Sequence, residues 1–291
     1  MSTTSIEPSY GLCYASEPQL HESQGAQSWI TRSANVVVVV SKLGAGTTLT
    51  REDNPDEYML LLPPGVRARV SCPGQDVDAG AESLTLLPPG KTTIEVLDDG
   101  IITRVFSARA RDLAALASNG HVYLKGAPPV APLNDWPMPV GGYKIRNYIL
   151  AGYSDPKIFG RLFRCRNLMI NVFERKTERR DPRKLSPHSH ADFEQISLTL
   201  EGRFVHHLRT PWSADSLAWR EDQHVEVSSP STTVIPTNLI HTTQDIGDGV
   251  AWMVDIFGPP RMDFSAQPGV VRNAGEYPMP VDPQAPSITG A

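Results

Sequence analysis

The chain has 291 residues, of which 40% are hydrophobic and 20% charged, and its formal net charge is −5. That composition is ordinary for a globular protein, and the length exceeds one typical domain. The mild charge, without an uninterrupted basic run, argues against nucleic-acid binding, and no apolar run is long enough to span a membrane. Because the N-terminus also lacks the pattern of a signal peptide, we expect a cytoplasmic protein.

Short strands separated by turns are predicted along the front half. The 26 prolines and 22 glycines indicate many turns, which favours an all-β architecture. Residues 36–41 form a continuous β-branched run, and residues 56–65 and 83–90 each end in Pro-Pro-Gly, a pattern typical of a strand that runs into a turn. We take residues 1–27 as an N-terminal arm and residues 28–115 as a first β domain.

A helix and a proline-rich linker are predicted between the two halves. Residues 111–117 are rich in Ala and Leu, and residues 126–139 are dense in proline, which enforces an extended path. We therefore take residues 116–140 as the linker, 141–268 as a second domain and 269–291 as an extended, proline-containing tail. The three cysteines, Cys13, Cys72 and Cys165, are too few and too scattered to indicate a disulfide framework.

The histidines are concentrated in the second half. Six of the eight lie between His188 and His241. On a strand, the His188-x-His190 pair would leave the same face, although such a pair alone is more often a solvated edge. Residues 232–241 predict a strand, a turn and a new strand, which places His241 beside the turn. The pattern predicts that three imidazoles meet at one divalent transition metal ion.

These segments resemble the two motifs of the cupin superfamily. The first motif is H-x-H, then Glu or Gln, then Gly, and it fits His188, His190, Gln195 and Gly202. The second, P-x-G-x-x-H, fits residues 236–241 with Asn238 in place of glycine, and Asn also tolerates positive φ. The resemblance implies two jelly-roll β-barrels in one chain. It also implies that His188, His190, Gln195 and His241 hold the metal. Ni, Fe, Mn, Zn and Co all accept this ligand set, so the sequence leaves the identity of the metal open.

Glu194 is the rival to Gln195 for the fourth ligand position. Strand alternation sends the two side chains to opposite faces, so only one can reach the metal. The spacing to Gly202 in the motif favours Gln195. A neutral amide would leave more positive charge on the ion than a carboxylate would, and hence a stronger Lewis acid.

The segment from Asp255 to Phe264 resembles a motif, D-x-F-x-P-P-R-x-D-F, that ends the barrel in one group of cupins. That group is similar to the pectin-degradation enzyme that converts 4,5-unsaturated monouronates into their open-chain keto-deoxy form. The resemblance implies that Asp255 and Arg261 line the pocket beside the metal as catalytic residues. Without it, Asp255 would be interpreted as a hydrogen-bonded strand carboxylate and Arg261 as a surface ion pair.

An insertion at residues 203–230 separates the two motifs and departs from the usual pattern. We interpret His206, His207 and His224 as rim or surface residues. Trp212 and Trp219 are expected to pack the insertion onto the barrel.

The front half is predicted to be a degenerate copy of the metal-binding barrel. In the register of the weak repeat, Thr93 matches His241, Arg104 replaces Asp255 and Ala110 replaces Arg261. The copy would then serve packing, stability or dimerisation. The apolar strand 36–40 would suit the edge of a homodimer.

The first functional hypothesis is a metal-dependent isomerase or lyase acting on a small sugar acid or keto acid. Asp255 would move a proton next to a carbonyl, and Arg261 would pair with a carboxylate of the substrate. Two alternatives stay open, namely an Fe(II)-dependent dioxygenase that cleaves a diketone or phenolic ketone, and a non-catalytic sensor that binds a small acid.

Overall fold

The structure is a computed structural model that describes residues 7–280, and it is almost entirely β. The front half contains β1 (Ser9–Leu12), β2 (Leu20–His21), β3 (Gln27–Arg32), β4 (Val36–Leu43), β5 (Thr48–Asn54), β6 (Tyr58–Leu62), β7 (Ala68–Cys72), β8 (Gln75–Ala79), β9 (Ser83–Leu87), β10 (Gly90–Val96), β11 (Gly100–Ser107) and helix α1 (Arg111–Leu116). The second half contains β12 (Arg146–Ile149), β13 (Arg161–Arg164), β14 (Met169–Val172), β15 (Gln195–Glu201), β16 (Phe204–Arg209), β17 (Gln223–Val227), β18 (Ser231–Ile235), β19 (Ile240–Asp245), β20 (Trp252–Phe257) and the one-turn helix α2 (Met262–Ser265). The predicted all-β class is confirmed.

Two antiparallel sheets form each half. The front pair has the strand orders β12-β9-β6-β11-β4-β3-β2 and β5-β10-β7-β8. The second pair has the orders β1-β18-β15-β20-β14-β13 and β17-β16-β19. The two halves therefore repeat one architecture, a large sheet that packs on a smaller one, as in a jelly roll.

Each half donates one strand to the other. Strand β1, from the N-terminal arm, pairs with β18 in the second half, where Tyr10 faces Thr233. Strand β12, which follows the linker, pairs with β9 in the front half, where Tyr148 faces Leu84. The sheets are thus not divided at residues 28 and 141, because strand pairing follows exposed backbone edges and not sequence order.

The largest hydrophobic cluster lies between the two large sheets. It joins β4 and β6 of the front half to β14, β15 and β20 of the second half, with Val38, Met59, Ile170 and Ile196 fully buried. Strand β4 lies between β3 and β11, and residues 36–40 are at most 1% exposed. The suggestion that this strand forms a dimer edge is therefore wrong, because both of its edges are paired and both of its faces are covered.

The interior of the front barrel is mostly apolar. In the register that aligns β6 with β15, Tyr58 stands where Gln195 does, and its ring stacks on Phe106 at 4.6 Å between centroids. The Tyr58 hydroxyl lies 2.7 Å from Oγ1 of Thr92, which is buried, whereas Thr93 is only half-buried. The inward counterpart of His241 is thus Thr92 and not Thr93, because β10 has a bulge between Gly90 and Thr92 that shifts the register.

The linker and the described part of the tail bind the barrels together. The carbonyl of Leu133 accepts a hydrogen bond from Nη2 of Arg109 in the front half at 3.1 Å, and the carbonyl of Trp136 accepts one from Nε of Arg166 in the second half at 2.6 Å. After α2 the chain returns to β13, and Tyr277 is 1% exposed. The remainder of the predicted tail, residues 281–291, and residues 1–6 of the arm lie outside the described residues.

The cysteines and the helices of residues 7–280 bear on the expectations about disulfides and membrane spans. Cys13, Cys72 and Cys165 are all free. No helix in this range is both long enough and apolar enough to cross a membrane.

Candidate metal centre

A pair of backbone hydrogen bonds joins the two histidine segments. His188 N donates to the carbonyl of His241 at 3.1 Å, and His241 N donates to the carbonyl of His188 at 2.8 Å. This isolated antiparallel bridge is the only strand-like pairing at His188. The prediction that His188 and His190 lie on a regular strand is therefore wrong, because the prolines and polar residues before them leave an extended loop that pairs once.

The three imidazoles converge at the mouth of the second barrel. One ring nitrogen each of His188, His190 and His241 lies within 4.8 Å of the others, and this is the only such group that residues 7–280 contain. Ring centroids are 4.4 Å apart for His188 and His241 and 4.9 Å apart for His188 and His190. His188 is exposed whereas the other two are buried, so the centre is open on one side.

Backbone carbonyls orient two of the rings. Nδ1 of His188 lies 2.8 Å from the carbonyl of Ser186, and Nδ1 of His241 lies 2.9 Å from the carbonyl of Leu239. A carbonyl can only accept, so each Nδ1 carries the proton and each Nε2 keeps its lone pair. Burial also lowers the pKa of His190 to about 3 and that of His241 to about 4, which keeps both rings neutral.

Gln195 supplies an oxygen to the same centre. It is the first residue of β15, and its Oε1 lies 3.1 Å from Nε2 of His190 and 3.4 Å from Nε2 of His241. Its Nε2 donates to Oγ of Ser197 and to Oδ1 of Asp255, both at 3.0 Å. The amide is therefore held with its oxygen toward the imidazoles. Three imidazole nitrogens and one neutral amide oxygen are a suitable donor set for a divalent transition metal.

Glu194 points away from this centre. Its Oε2 accepts a hydrogen bond from the backbone N of Ala34 at 2.6 Å, and its Oε1 accepts one from the hydroxyl of Tyr123 at 2.9 Å. Burial raises the pKa of the Glu194 carboxyl, while both hydrogen bonds oppose that shift. Glu194 thus ties the second barrel to the front half, and the geometry leaves Gln195 as the residue that faces the histidines.

Asp255 lies directly behind Gln195. It pairs with Ser197 across β15 and β20, so both side chains enter the barrel interior, and Oδ1 of Asp255 accepts from Oγ of Ser197 at 2.7 Å. Burial raises the pKa of the Asp255 carboxyl to about 6, against the effect of Ser197, Arg261 and Gln195. The carboxyl can therefore gain or lose a proton near neutral pH.

Arg261 lies near the centre but is already paired. Its Nε and one Nη donate to Asp263 at 3.1 and 2.6 Å, and the side chain is 11% exposed. The guanidinium stacks on Phe264, with its carbon 3.8 Å from the ring centroid. No hydrogen bond from the other Nη occurs within the described residues. Its positive charge still lowers the pKa of Asp255, His190 and His241.

Two turn residues of the predicted motifs behave as expected. Asn238 has a φ of 63°, and its N donates to the carbonyl of His190 at 2.6 Å, which ties the second motif to the first. Gly202 has a φ of 93°, and a Cβ there would lie 3.0 Å from the carbonyl oxygen of Val250. Glycine is thus required at the end of β15.

Two functional candidates were missed in the sequence. Ser197 shares the inward face of β15 with Gln195, a signal that strand alternation contained. His206 was interpreted as a rim residue, yet it is 0% exposed, and its Nδ1 lies 2.9 Å from Oγ1 of Thr243. Its alternation with Phe204 and Leu208, both buried, is the signal that could have placed it inside.

The rest of the insertion is more exposed than expected. Trp212 and Trp219 stack on each other with centroids 4.6 Å apart, and they are 77% and 41% exposed. The expectation that they pack onto the barrel is wrong, because their mutual stacking satisfies one face of each ring. His207 and His224 stay near the surface, with their Nδ1 atoms 2.8 Å apart.

Comparison with known proteins shows the fold. No protein-family model and no curated protein matches the sequence. AerE from Microcystis aeruginosa is 8% identical, over 83% of this chain and 96% of that one, with a TM-score of 0.56. Protein Ylba from E. coli is 10% identical, over 89% and 95%, also with a TM-score of 0.56.

The oxalate decarboxylase of Lactobacillus farciminis, solved as a formate complex, is 13% identical. The match covers 87% of this chain and 86% of that one, with a TM-score of 0.51. These structures span both halves of the chain, in agreement with the two barrels described above. The chain therefore has the two-barrel, jelly-roll fold of these solved structures.

Proposed function

We propose that the protein is a metal-dependent enzyme that catalyses either the isomerisation of a small sugar acid or keto acid or an elimination from it. One observation carries the proposal: the carboxylate of Asp255 is hydrogen-bonded to the same Gln195 amide whose oxygen faces three oriented imidazoles. A proton-transfer group and a candidate metal centre thus lie together in the interior of one barrel. A metal held by His188, His190, His241 and Gln195 would supply a Lewis acid that polarises a carbonyl.

Asp255 is suited to move a proton between positions of the substrate. It takes the proton from the carbon next to a carbonyl; the electron pair of that C–H bond forms the C=C bond of an enolate, and the carbonyl electron pair moves onto its oxygen. In an isomerisation, Asp255 returns the proton to the former carbonyl carbon, while the hydroxyl on the neighbouring carbon becomes a carbonyl and its proton passes to the former carbonyl oxygen. In an elimination, the enolate re-forms the carbonyl and expels a hydroxyl one carbon further along, which leaves as water with the proton that Asp255 holds. Neither route needs an oxidant.

Arg261 is suited to balance the charge of an acid. Its pairing with Asp263 fixes the guanidinium over Phe264. The side chain therefore loses little further entropy when its remaining Nη binds a substrate carboxylate. The resemblance to the cupins that act on unsaturated monouronates supports a uronate as substrate. The shared fold with oxalate decarboxylase, which acts on a small carboxylate as its name states, supports an acid more generally.

Deuterium incorporation tests the proposal. The metal-loaded protein is incubated in D₂O with uronates and keto acids, and NMR follows exchange and product formation. Asp255→Asn keeps an oxygen that can accept from Ser197 and Gln195, so we expect it to retain the metal while turnover falls about 10²–10⁴-fold. Wild-type turnover by Asp255→Asn would refute the proposal.

The alternative functions give different results in the same set of assays. Oxygen consumption with diketones or phenolic ketones, in protein that requires iron, would establish the dioxygenase, since three histidines also suit Fe(II). Acid binding that survives Asp255→Ala, with no turnover of any compound by the wild type, would establish the sensor.

A further inference from the structure

The barrel interior below the metal centre is lined by polar side chains. Strand register places these residues one inward position below Gln195 and His241, and we call them the polar layer: Ser197, Thr233, Asp255, His206 and Thr243. Ser197 pairs with Thr233 and with Asp255 in the large sheet, whereas His206 pairs with Thr243 in the small sheet. The two sheets face each other, so the polar layer has two opposite walls.

Several polar atoms in this interior are buried without a partner. Among residues 7–280 they include Nε2 of His206 and Oγ1 of Thr233, and one position deeper Oγ1 of Thr199 and Oγ of Ser231. Each buried polar atom without a partner costs about 1–3 kcal/mol. A fold that retains four such atoms in one barrel is adapted to pair them with something that enters the barrel.

The front barrel treats the same layer differently. In the register that aligns Tyr58 with Gln195, Leu60 stands where Ser197 does, and Thr85 and Arg104 stand where Thr233 and Asp255 do. Both of these polar residues find partners within the chain: Oγ1 of Thr85 accepts a hydrogen bond from Asn147, and Nη2 of Arg104 donates to Glu22 and Ser41. The small sheet there carries the aliphatic Val70 and Ile94, both at most 1% exposed, so a polar His206 on that wall is not required by the fold.

Three residues around the polar layer are partly exposed. They are Asp255, Met253 one step deeper, and Val225 on β17, which pairs with His206. His206 itself is 0% exposed, and its Nδ1 is engaged by Thr243, so only Nε2 is available. Within the described part of the chain no hydrogen bond joins His206 to Asp255 or Thr233.

We infer that His206 binds the hydroxylated part of the substrate from the wall opposite Asp255, and this inference rests on the proposed function. A hydroxyl both donates and accepts, so it matches the hydroxyl of Thr233 and either tautomer of His206. An alkyl chain would pair with neither. The expected substrates are therefore polyhydroxylated acids, because the unpaired atoms of His206 and Thr233 would stay without a partner beside any other acid.

Isothermal titration of the metal-loaded full chain tests the inference. The probes are D-gluconate, an open-chain polyhydroxy acid, and hexanoate, which has the same chain length but no hydroxyls. We expect the wild type to bind gluconate more tightly. His206→Leu should weaken gluconate binding about tenfold, the loss expected when one buried hydrogen bond is removed, and should leave hexanoate binding unchanged.

His207→Leu is the matched control. His207 is the next residue on β16, faces outward and contacts His224, so its removal should leave both affinities unchanged. Thr233→Val conserves shape and removes one hydroxyl, so it provides a second variant if His206→Leu fails to fold. It should also weaken gluconate binding selectively.

Two results would overturn the inference. One is a folded, metal-loaded His206→Leu or Thr233→Val protein that binds gluconate as the wild type does, and the other is a wild type that binds both probes equally. Failure of the proposed function is a separate result, because it is measured as unchanged turnover in Asp255→Asn and does not depend on His206.

Discussion

Glu194 and Gln195 are adjacent, and we expect the first to stabilise the fold and the second to bind the metal. Removal of the Glu194 carboxylate tests this difference. Glu194→Ala leaves the backbone N of Ala34 and the hydroxyl of Tyr123 without their acceptor, and each buried donor left unpaired costs about 1–3 kcal/mol. Loss of the buried carboxylate relieves its own desolvation and offsets part of that cost. We therefore expect the free energy of unfolding to fall by about 2–4 kcal/mol, with metal affinity unchanged.

Gln195→Ala should behave in the opposite way. Its oxygen lies 3.1 and 3.4 Å from the Nε2 atoms of His190 and His241, so its loss should weaken metal binding at least about tenfold. Asp255 keeps its hydrogen bond from Ser197, so the free energy of unfolding of the metal-free protein should change less than in Glu194→Ala.

Two measurements decide between these roles. Urea unfolding of the metal-free proteins, followed by circular dichroism, gives the stability change, and competition with a chelator gives the metal affinity. The assignment of ligands is refuted if Glu194→Ala loses the metal while its stability is unchanged, or if Gln195→Ala binds the metal as tightly as the wild type.

Three further predictions concern residues outside the metal centre. Gly202→Ala should lower the free energy of unfolding by about 1–3 kcal/mol in urea titrations, because φ is 93° and the new Cβ would press on the carbonyl of Val250; an unchanged midpoint would contradict this. Burial raises the pKa of Glu57 above its ordinary 4.5, against the hydrogen bond from Tyr277. The folded state then holds this proton more tightly, so wild-type stability should fall as pH rises above 4.5, and Glu57→Gln should flatten that slope in thermal unfolding measured across pH. Trp212→Ala should change the free energy of unfolding by less than about 0.5 kcal/mol, since the ring is 77% exposed, and a larger loss would show that the insertion is part of the core.

Local sequence patterns determined the fold class and most of the centre. Alternation and turn residues are short-range properties, so they predicted β15 and the turn at Asn238, where φ is 63°. The spacing between Gln195 and Gly202 is likewise local, and it selected the amide over Glu194. The cupin resemblance rests on the same short segments, which is why it reached the fold and left the substrate open.

The tertiary structure decided everything that depends on which face of a strand is covered. Alternation groups Phe204, His206 and Leu208 on one face, but only the opposing sheet makes that face the barrel interior and so turns His206 from a rim residue into a buried one. The exchange of β1 and β12 between the halves and the burial of β4 on both faces follow from pairing between segments far apart in sequence. Such pairing depends on edges and surfaces that exist only once the sheets have formed, so no local pattern encodes it.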